Sequence, residues 1–246
     1  MHRSAQSVVA DCAAVLGRVR SETPRVQCLT NTVAQQITAN VLLASGARVS
    51  MASHPDEVTD MAASAQALLI NLGTLDTQRI DAIPRLLVDL RVTGLPRVLD
   101  PVFVEHSRLR LALARQVIAA GPLIVKGNSR ELAALELPVH ATRVETGVND
   151  CIGTEPGKRL IITNGHRWMA EVTGLGCALG GLIAACAAVD ADPLKAATAA
   201  VLAFGVAGDI AGAMSQGPGS FAVNFIDALG QLDGDAITTH ARIDLS

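Results

Sequence analysis

The sequence predicts an α/β protein: a mostly parallel central sheet with helices on both faces. Three observations carry this. Strand-like apolar runs alternate with helical patterns in the order βαβαβαβα, followed by short strands and then helices. Ala67 to Leu72 reads ALLINL, the nearly continuous apolar run of a strand buried on both faces. The chain has 246 residues, 50% hydrophobic and 17% charged, enough for a sizeable core, and no linker, repeat or low-complexity tract interrupts it. We therefore expect one domain over 1–246, closing in a short polar tail at about 231–246.

The elements follow in order. Val8, Val9, Cys12, Val15, Leu16 and Val19 recur at helical spacing, which predicts a helix over 5–20. Arg25 to Leu29 is a strand ending at Thr30-Asn31. Gln35 to Ser45 is a helix that Gly46 stops, and Val49 to Ala52 is a second strand. Pro55 to Ala63 is a helix with Asp56 and Glu57 in its first turn, where acids suit the dipole. After the ALLINL strand, Asp76 caps a helix that runs to Val92, and Pro84 is expected to kink or split it. Arg97 to Leu99 is a strand ending at Asp100-Pro101, and Arg108 to Ala120 is a helix. Leu123 to Val125 is a strand, followed by Lys126-Gly127-Asn128 and a helix over Ser129 to Ala134. Strand-like pieces stand near 142–146, 149–152 and 159–163. Three helices follow, over 176–188, 193–214 and 219–230.

Composition narrows the function. Lys+Arg 20 against Asp+Glu 23 leaves a net charge of −3, so no basic excess drives binding to a nucleic-acid backbone. Aromatic residues are 2%, one Trp and four Phe with no Tyr, too few for a base-stacking platform. Small-molecule chemistry is the better fit. Five cysteines stand at 12, 28, 151, 177 and 186 with no C-x-x-C pair, which speaks against a disulfide framework or zinc ribbon. Free thiols suit a reducing cytoplasm. The first twenty residues lack a signal-peptide h-region. Two Ala-rich stretches, 172–189 and 196–208, read as buried helices rather than membrane spans.

Ligands of such sheets sit beyond the carboxyl ends of the strands, so the residues there are the candidates. V-T-G-L-G-C (172–177) runs straight into an apolar helix. Gly174 and Gly176 permit a tight turn that leaves amide N–H groups open at a helix start, a ready anion site suited to the spread charge of a phosphoryl group in transfer. Cys177 lies in the first turn, where a thiol pKa is expected to fall. The alternative is that the two glycines pack helix against strand and Cys177 is a small core residue. Glu131, three residues after Asn128, closes a capping box. Coming after Lys126, it also suits a hydrated Mg²⁺ beside phosphates. Asp100 before Pro101 is a metal or substrate ligand, or a turn residue. G-P-G-S-F (217–221) reads as an interhelical loop, and His54 and His106 as solvated loop residues.

Taken together and in order, these segments resemble the hydroxyethylthiazole kinase family of the ribokinase-like superfamily. The stretches that carry the resemblance are CLTNTVAQQITANVLLASGA, MASHPDEV, LLINLGTL, VLDPV, VKGNSREL, ETGVND, ITNGHRWMAEVTGLGC and GPGSFAVNFIDAL, spanning roughly 26–230. The resemblance implies ATP-dependent phosphorylation of the primary alcohol of 4-methyl-5-(2-hydroxyethyl)thiazole, a step of thiamin salvage. It places Cys177 at the catalytic cysteine, Met51, Gly174 and Asn31 at the thiazole, Lys126 and Thr146 at the nucleotide, and Asp100 and Glu131 near Mg²⁺. It also implies a homotrimer with active sites between subunits. Four features depart from the family pattern. Leu175 replaces a threonine, Lys126 stands where Arg is usual, and Phe103-Val104-Glu105-His106 replaces a Gly-rich stretch. The segment between Leu137 and Thr146 is short, so one peripheral helix is expected to be missing. The altered 103–106 loop keeps a kinase of another small alcohol in view, and Lys126 with Leu175 a binding protein without efficient ATP use.

Overall fold

The computed structural model describes residues 4–121, 123–155 and 158–245. Its elements are α1 (Ala5–Glu22), β1 (Arg25–Leu29), α2 (Gln35–Ala44), β2 (Arg48–Ser50), α3 (Val58–Ala63), β3 (Ala67–Asn71), α4 (Thr77–Thr93) and β4 (Arg97–Asp100). There follow α5 (Arg108–Ala119), β5 (Leu123–Gly127), α6 (Ser129–Ala133), β6 (Thr142–Glu145), β7 (Asp150–Glu155) and β8 (Lys158–Ile162). The chain closes with α7 (Leu175–Val189), α8 (Pro193–Met214), α9 (Pro218–Gln231), α10 (Gly234–His240) and β9 (Ile243–Leu245). Two short 3₁₀ turns, Val104–His106 and Arg167–Ala170, were not expected.

All nine strands form one sheet in the order β2-β1-β3-β4-β5-β6-β7-β8-β9. The strands from β2 across to β6 pair in parallel, and the last three join antiparallel. The period-two alternation of strand side chains feeds two cores. Cys28, Leu69, Val98, Ile124 and Val144 face a core shared with α1, α2, α7, α8, α9 and α10. Leu29, Leu68, Ile70, Leu99 and Val125 face the opposite core, with α3, α4 and α5. Helices therefore cover both faces, as the alternating pattern predicts.

Three expectations need correcting. Pro84 lies inside α4 without splitting it. Residues 231–245 are not a loose tail, because α10 and β9 are built there and β9 pairs with β8. Asn164 holds them down. Its Nδ2 donates to the His240 carbonyl (2.7 Å) and to Asp209 Oδ2 (2.7 Å), and its Oδ1 accepts the Arg242 N–H (2.7 Å). Arg242 also pairs with Asp209 at 3.0 Å. The third helix begins at Val58 rather than Pro55, because residues 54–57 form a turn closed by Glu57 N–H to His54 C=O at 3.1 Å. As expected, no helix stands between α6 and β6. Of the described helices only α8 is long and apolar enough to cross a membrane, and its stretch Ala196 to Gly208 is buried within the protein.

Candidate active site

Parallel strands β1, β3, β4 and β5 end on the same edge of the sheet, and each delivers a polar side chain there. Asn31 follows β1, Asn71 and Asp100 are the last residues of β3 and β4, and Lys126 is the penultimate residue of β5. Helix α7 packs against β1, β3 and β4, which brings Cys177 to the same edge.

These groups form one chain of hydrogen bonds. Asn31 Nδ2 lies 3.4 Å from Cys177 Sγ and donates to Asn71 Oδ1 at 2.9 Å. Asn71 Nδ2 donates to Asp100 Oδ2 at 2.8 Å, and Lys126 Nζ donates to the same oxygen at 3.2 Å. Asp100 is 1% exposed and Lys126 6%, so this is a buried ion pair. Burial works against the Lys126 ammonium. The carboxylate of Asp100, the neighbouring Cys177 sulfur and the Glu131 carboxylate more than reverse that and hold its pKa above the ordinary lysine value.

The loop before α7 separates the roles of its two glycines. Gly174 is the N-cap, at φ +82°. A Cβ there would stand 2.9 Å from Ile37 Cγ2 and 3.0 Å from Ala34 Cα, so the position needs glycine for both its backbone angle and its close approach to α2. Gly176 is different: the nearest group to a Cβ there is the Lys126 ammonium, at 3.9 Å. The helix start with its free amides thus faces a fixed cation. Packing explains the first glycine, while the second leaves the start of α7 open toward Lys126.

Cys177 is half-buried and free, but its thiol is not activated as its place in the first turn suggests. Burial and the negative charge of Asp100 raise its pKa, outweighing Lys126 and the hydrogen bonds of Asn71 and Asn31. The expected fall is therefore overturned: the resting side chain is a thiol.

Glu131 forms the expected capping box with Asn128. Its Oε2 accepts the Asn128 N–H at 2.9 Å, and its Oε1 accepts the Phe103 N–H at 2.8 Å. Phe103 occupies the left-handed region at φ +54°, a conformation that costs an L-residue about 1–2 kcal/mol. Thr146 follows β6, and its N–H donates to Gly127 C=O at 2.9 Å, which sets it beside Lys126. Met51 follows the edge strand β2 and is half-buried against the α7 side of the sheet. Neither Thr146 nor Met51 is hydrogen-bonded into the chain that links Cys177 to Lys126.

Two residues escaped the sequence reading. Asn71 is 1% exposed at the centre of the network, and its only signal was an amide closing an otherwise apolar strand. Asp150, at the start of β7, accepts the Gly147 N–H at 3.0 Å. Burial pushes its carboxyl up to about 6, with the Gly147 bond and Lys126 pulling the other way.

Fold and chemistry meet in one class, the ribokinase-like small-molecule kinases. The hydroxyethylthiazole kinase family model matches residues 16–145 and 138–235. A probable hydroxyethylthiazole kinase of Agrobacterium fabrum is 42% identical over 236 residues, covering 96% of this chain and 95% of the relative. A hydroxyethylthiazole kinase of Granulibacter bethesdensis is 40% identical, covering 93% and 92%. The solved hydroxyethylthiazole kinase protein of Pyrococcus horikoshii superposes with a TM-score of 0.90 at 32% identity, covering 96% of this chain and 98% of that one. A Bacillus subtilis ADP/ATP-dependent NAD(P)H-hydrate dehydratase, co-crystallised with ATP/Mg²⁺, shares the fold at a TM-score of 0.55 and 14% identity. The chain belongs to the hydroxyethylthiazole kinase family.

Proposed function

We propose that the chain carries out its family's reaction, ATP-dependent phosphorylation of the primary alcohol of 4-methyl-5-(2-hydroxyethyl)thiazole in thiamin salvage, at the edge where Cys177, Asn31, Asp100 and Lys126 converge. The observation that carries this is the open start of α7 at Gly176 facing the Lys126 ammonium. Backbone donors and a buried cation there suit the charge of a phosphoryl group in flight, and such transfer is mainly positioning and electrostatics. The thiazole lies between Met51 and Gly174 with its hydroxyl toward Cys177, within reach of Asn31. Lys126 and Thr146 hold the nucleotide. Cys177 orients the acceptor hydroxyl, and the small thiolate fraction that its raised pKa leaves takes the hydroxyl proton late in the transfer.

The donor set suits magnesium held largely through water. No group of three His, Cys, Asp or Glu side chains forms a direct cage among the described residues. Magnesium keeps several waters and needs one or two carboxylates beside phosphates. Asp100 and Glu131 supply those carboxylates, each already steadied by N–H donors. When bound, the ion neutralises phosphate charge. We place the enzyme in the cytoplasm, in keeping with its five free thiols, and assign it a homotrimer. Exposed Val33, beside Asn31, and Leu43, at the far end of α2, support a subunit contact.

The test is an ADP-release assay on purified protein with Mg·ATP and a panel of small alcohols. Turnover greatest with the thiazole alcohol is expected. Turnover only with another alcohol, or none, would overturn the assignment. Sedimentation equilibrium checks the trimer.

A further inference from the structure

We propose that Asn71 is a positioning residue for phosphoryl transfer, its buried amide fixing the acceptor side of the cleft, Asn31 and Cys177, against the phosphate side, Asp100 and Lys126. The inference rests on the reading above and adds to it a residue that carries no assigned role.

The geometry leaves the Asn71 amide one orientation. Its carbonyl oxygen accepts two N–H groups, from Asn31 Nδ2 and from the Gly73 backbone, both at 2.9 Å. Its amino group donates to Asp100 Oδ2 at 2.8 Å. A flipped amide would turn its amino group toward two donors and its oxygen toward a carboxylate, losing every bond. The residue after the strand is shaped around this pair. A Cβ on Gly73 would stand 2.9 Å from Asn31 Nδ2 and 3.0 Å from Asn71 Oδ1, so the space a side chain would need is filled by the two amides. Asn31 is locked as well, since its Oδ1 accepts the Ala34 N–H at 2.9 Å.

Asp100 Oδ2 therefore takes two donors, Asn71 on one side and Lys126 on the other. This sets the plane of the carboxylate and leaves Oδ1 for a hydrated ion or phosphate-side water. At its other end the same amide holds Asn31 Nδ2 on the Cys177 sulfur. One side chain thus sets the separation of the two reacting partners, and errors of about 1 Å in such a separation cost about 10²-fold in rate.

The experiment compares wild type with Asn71→Ala, Asn71→Ser and Gly73→Ala, all in a Cys151→Ser background so that Cys177 is the accessible thiol. For variants that fold by circular dichroism, kcat should fall about 10²-fold while KM for the acceptor alcohol stays within about threefold. The second readout needs neither ATP nor acceptor: the rate of Cys177 alkylation by iodoacetamide at fixed pH. Loss of the amide should slow it by threefold or more, whereas a merely loosened fold would speed it. Because that arm uses no substrate, it stands whichever alcohol the enzyme accepts. A kcat within threefold of wild type, unchanged or faster alkylation, or failure of all three variants to fold would overturn the proposal, the last by making Asn71 a structural bridge.

Discussion

Cys177 shows how far a local rule reaches. Its place at a helix start points to an activated thiol, yet burial and the nearby Asp100 charge push the other way. If its thiolate takes the acceptor proton, kcat should rise with pH up to the raised thiol pKa, above 9, and Cys177→Ala should lose that rise. We expect the variant to fold and to lose about 10²-fold in kcat, the low end of general-base effects. A stopped-assay pH profile of both proteins checks this. Lys126 answers to stability as well. Lys126→Met would leave Asp100 buried without its ion partner, and losses of this kind run to about 3–5 kcal/mol, measurable by urea unfolding. Asp150 gives a pH signature. Its folded pKa, about 6, lies above the unfolded value of 3.8, so the folded state holds the proton more tightly and stability falls as pH rises between them. Asp150→Asn should therefore stabilise the ligand-free protein at pH 7 and leave it unchanged near pH 3, as thermal unfolding at the two pH values will show. Of the site residues, Cys177, Asp100, Lys126 and Glu131 were legible because each closes a strand or opens a helix. Asn71 and Asp150 were not, because an amide inside an apolar run and an acid at the start of a short strand have ordinary structural roles.

Among elements, the parallel strands were legible wherever they are buried on both faces, since nothing but apolar side chains fits there. The ends of the chain's last third were harder. Helix α10 and strand β9 are polar and short, and Ile243 is only half-buried. They are held by side chains more than by an apolar stripe, chiefly the three bonds of Asn164 and the Arg242–Asp209 pair. Asn164 lies within the stretch ITNGHRWMAEVTGLGC, and no spacing reveals that its partner lies at 240–242. Asn164→Ala should cost about 2–3 kcal/mol through the lost bonds and the buried groups left unmet, and should free β9 first. Hydrogen exchange at Ile243 to Leu245 will test this, and equal protection in wild type and variant would refute it. The two 3₁₀ turns lack any periodic signature, since three residues are too few to show one.

The molecule as a whole joins sequence-distant parts on one face and sequence-near parts on the other. The face that holds α3, α4 and α5 is built from residues 29–135. Helix α1 packs instead against α7, α8 and α10, with Arg18 Nε bonded to the Val189 carbonyl and Arg20 to the Leu229 carbonyl. A chain leaving the ribosome therefore makes α1 long before its partners α7, α8 and α10 exist. The stripe of Val8, Cys12, Val15, Leu16 and Val19 meets solvent, or a holding chaperone, until almost all of the chain has emerged. In refolding, amides of α4 and α5 should gain protection before those of α1, which pulsed deuterium labelling can resolve. Helix α1 then docks late although it is made before its partners, and nascent chains stalled before α8 should be the species most prone to aggregate.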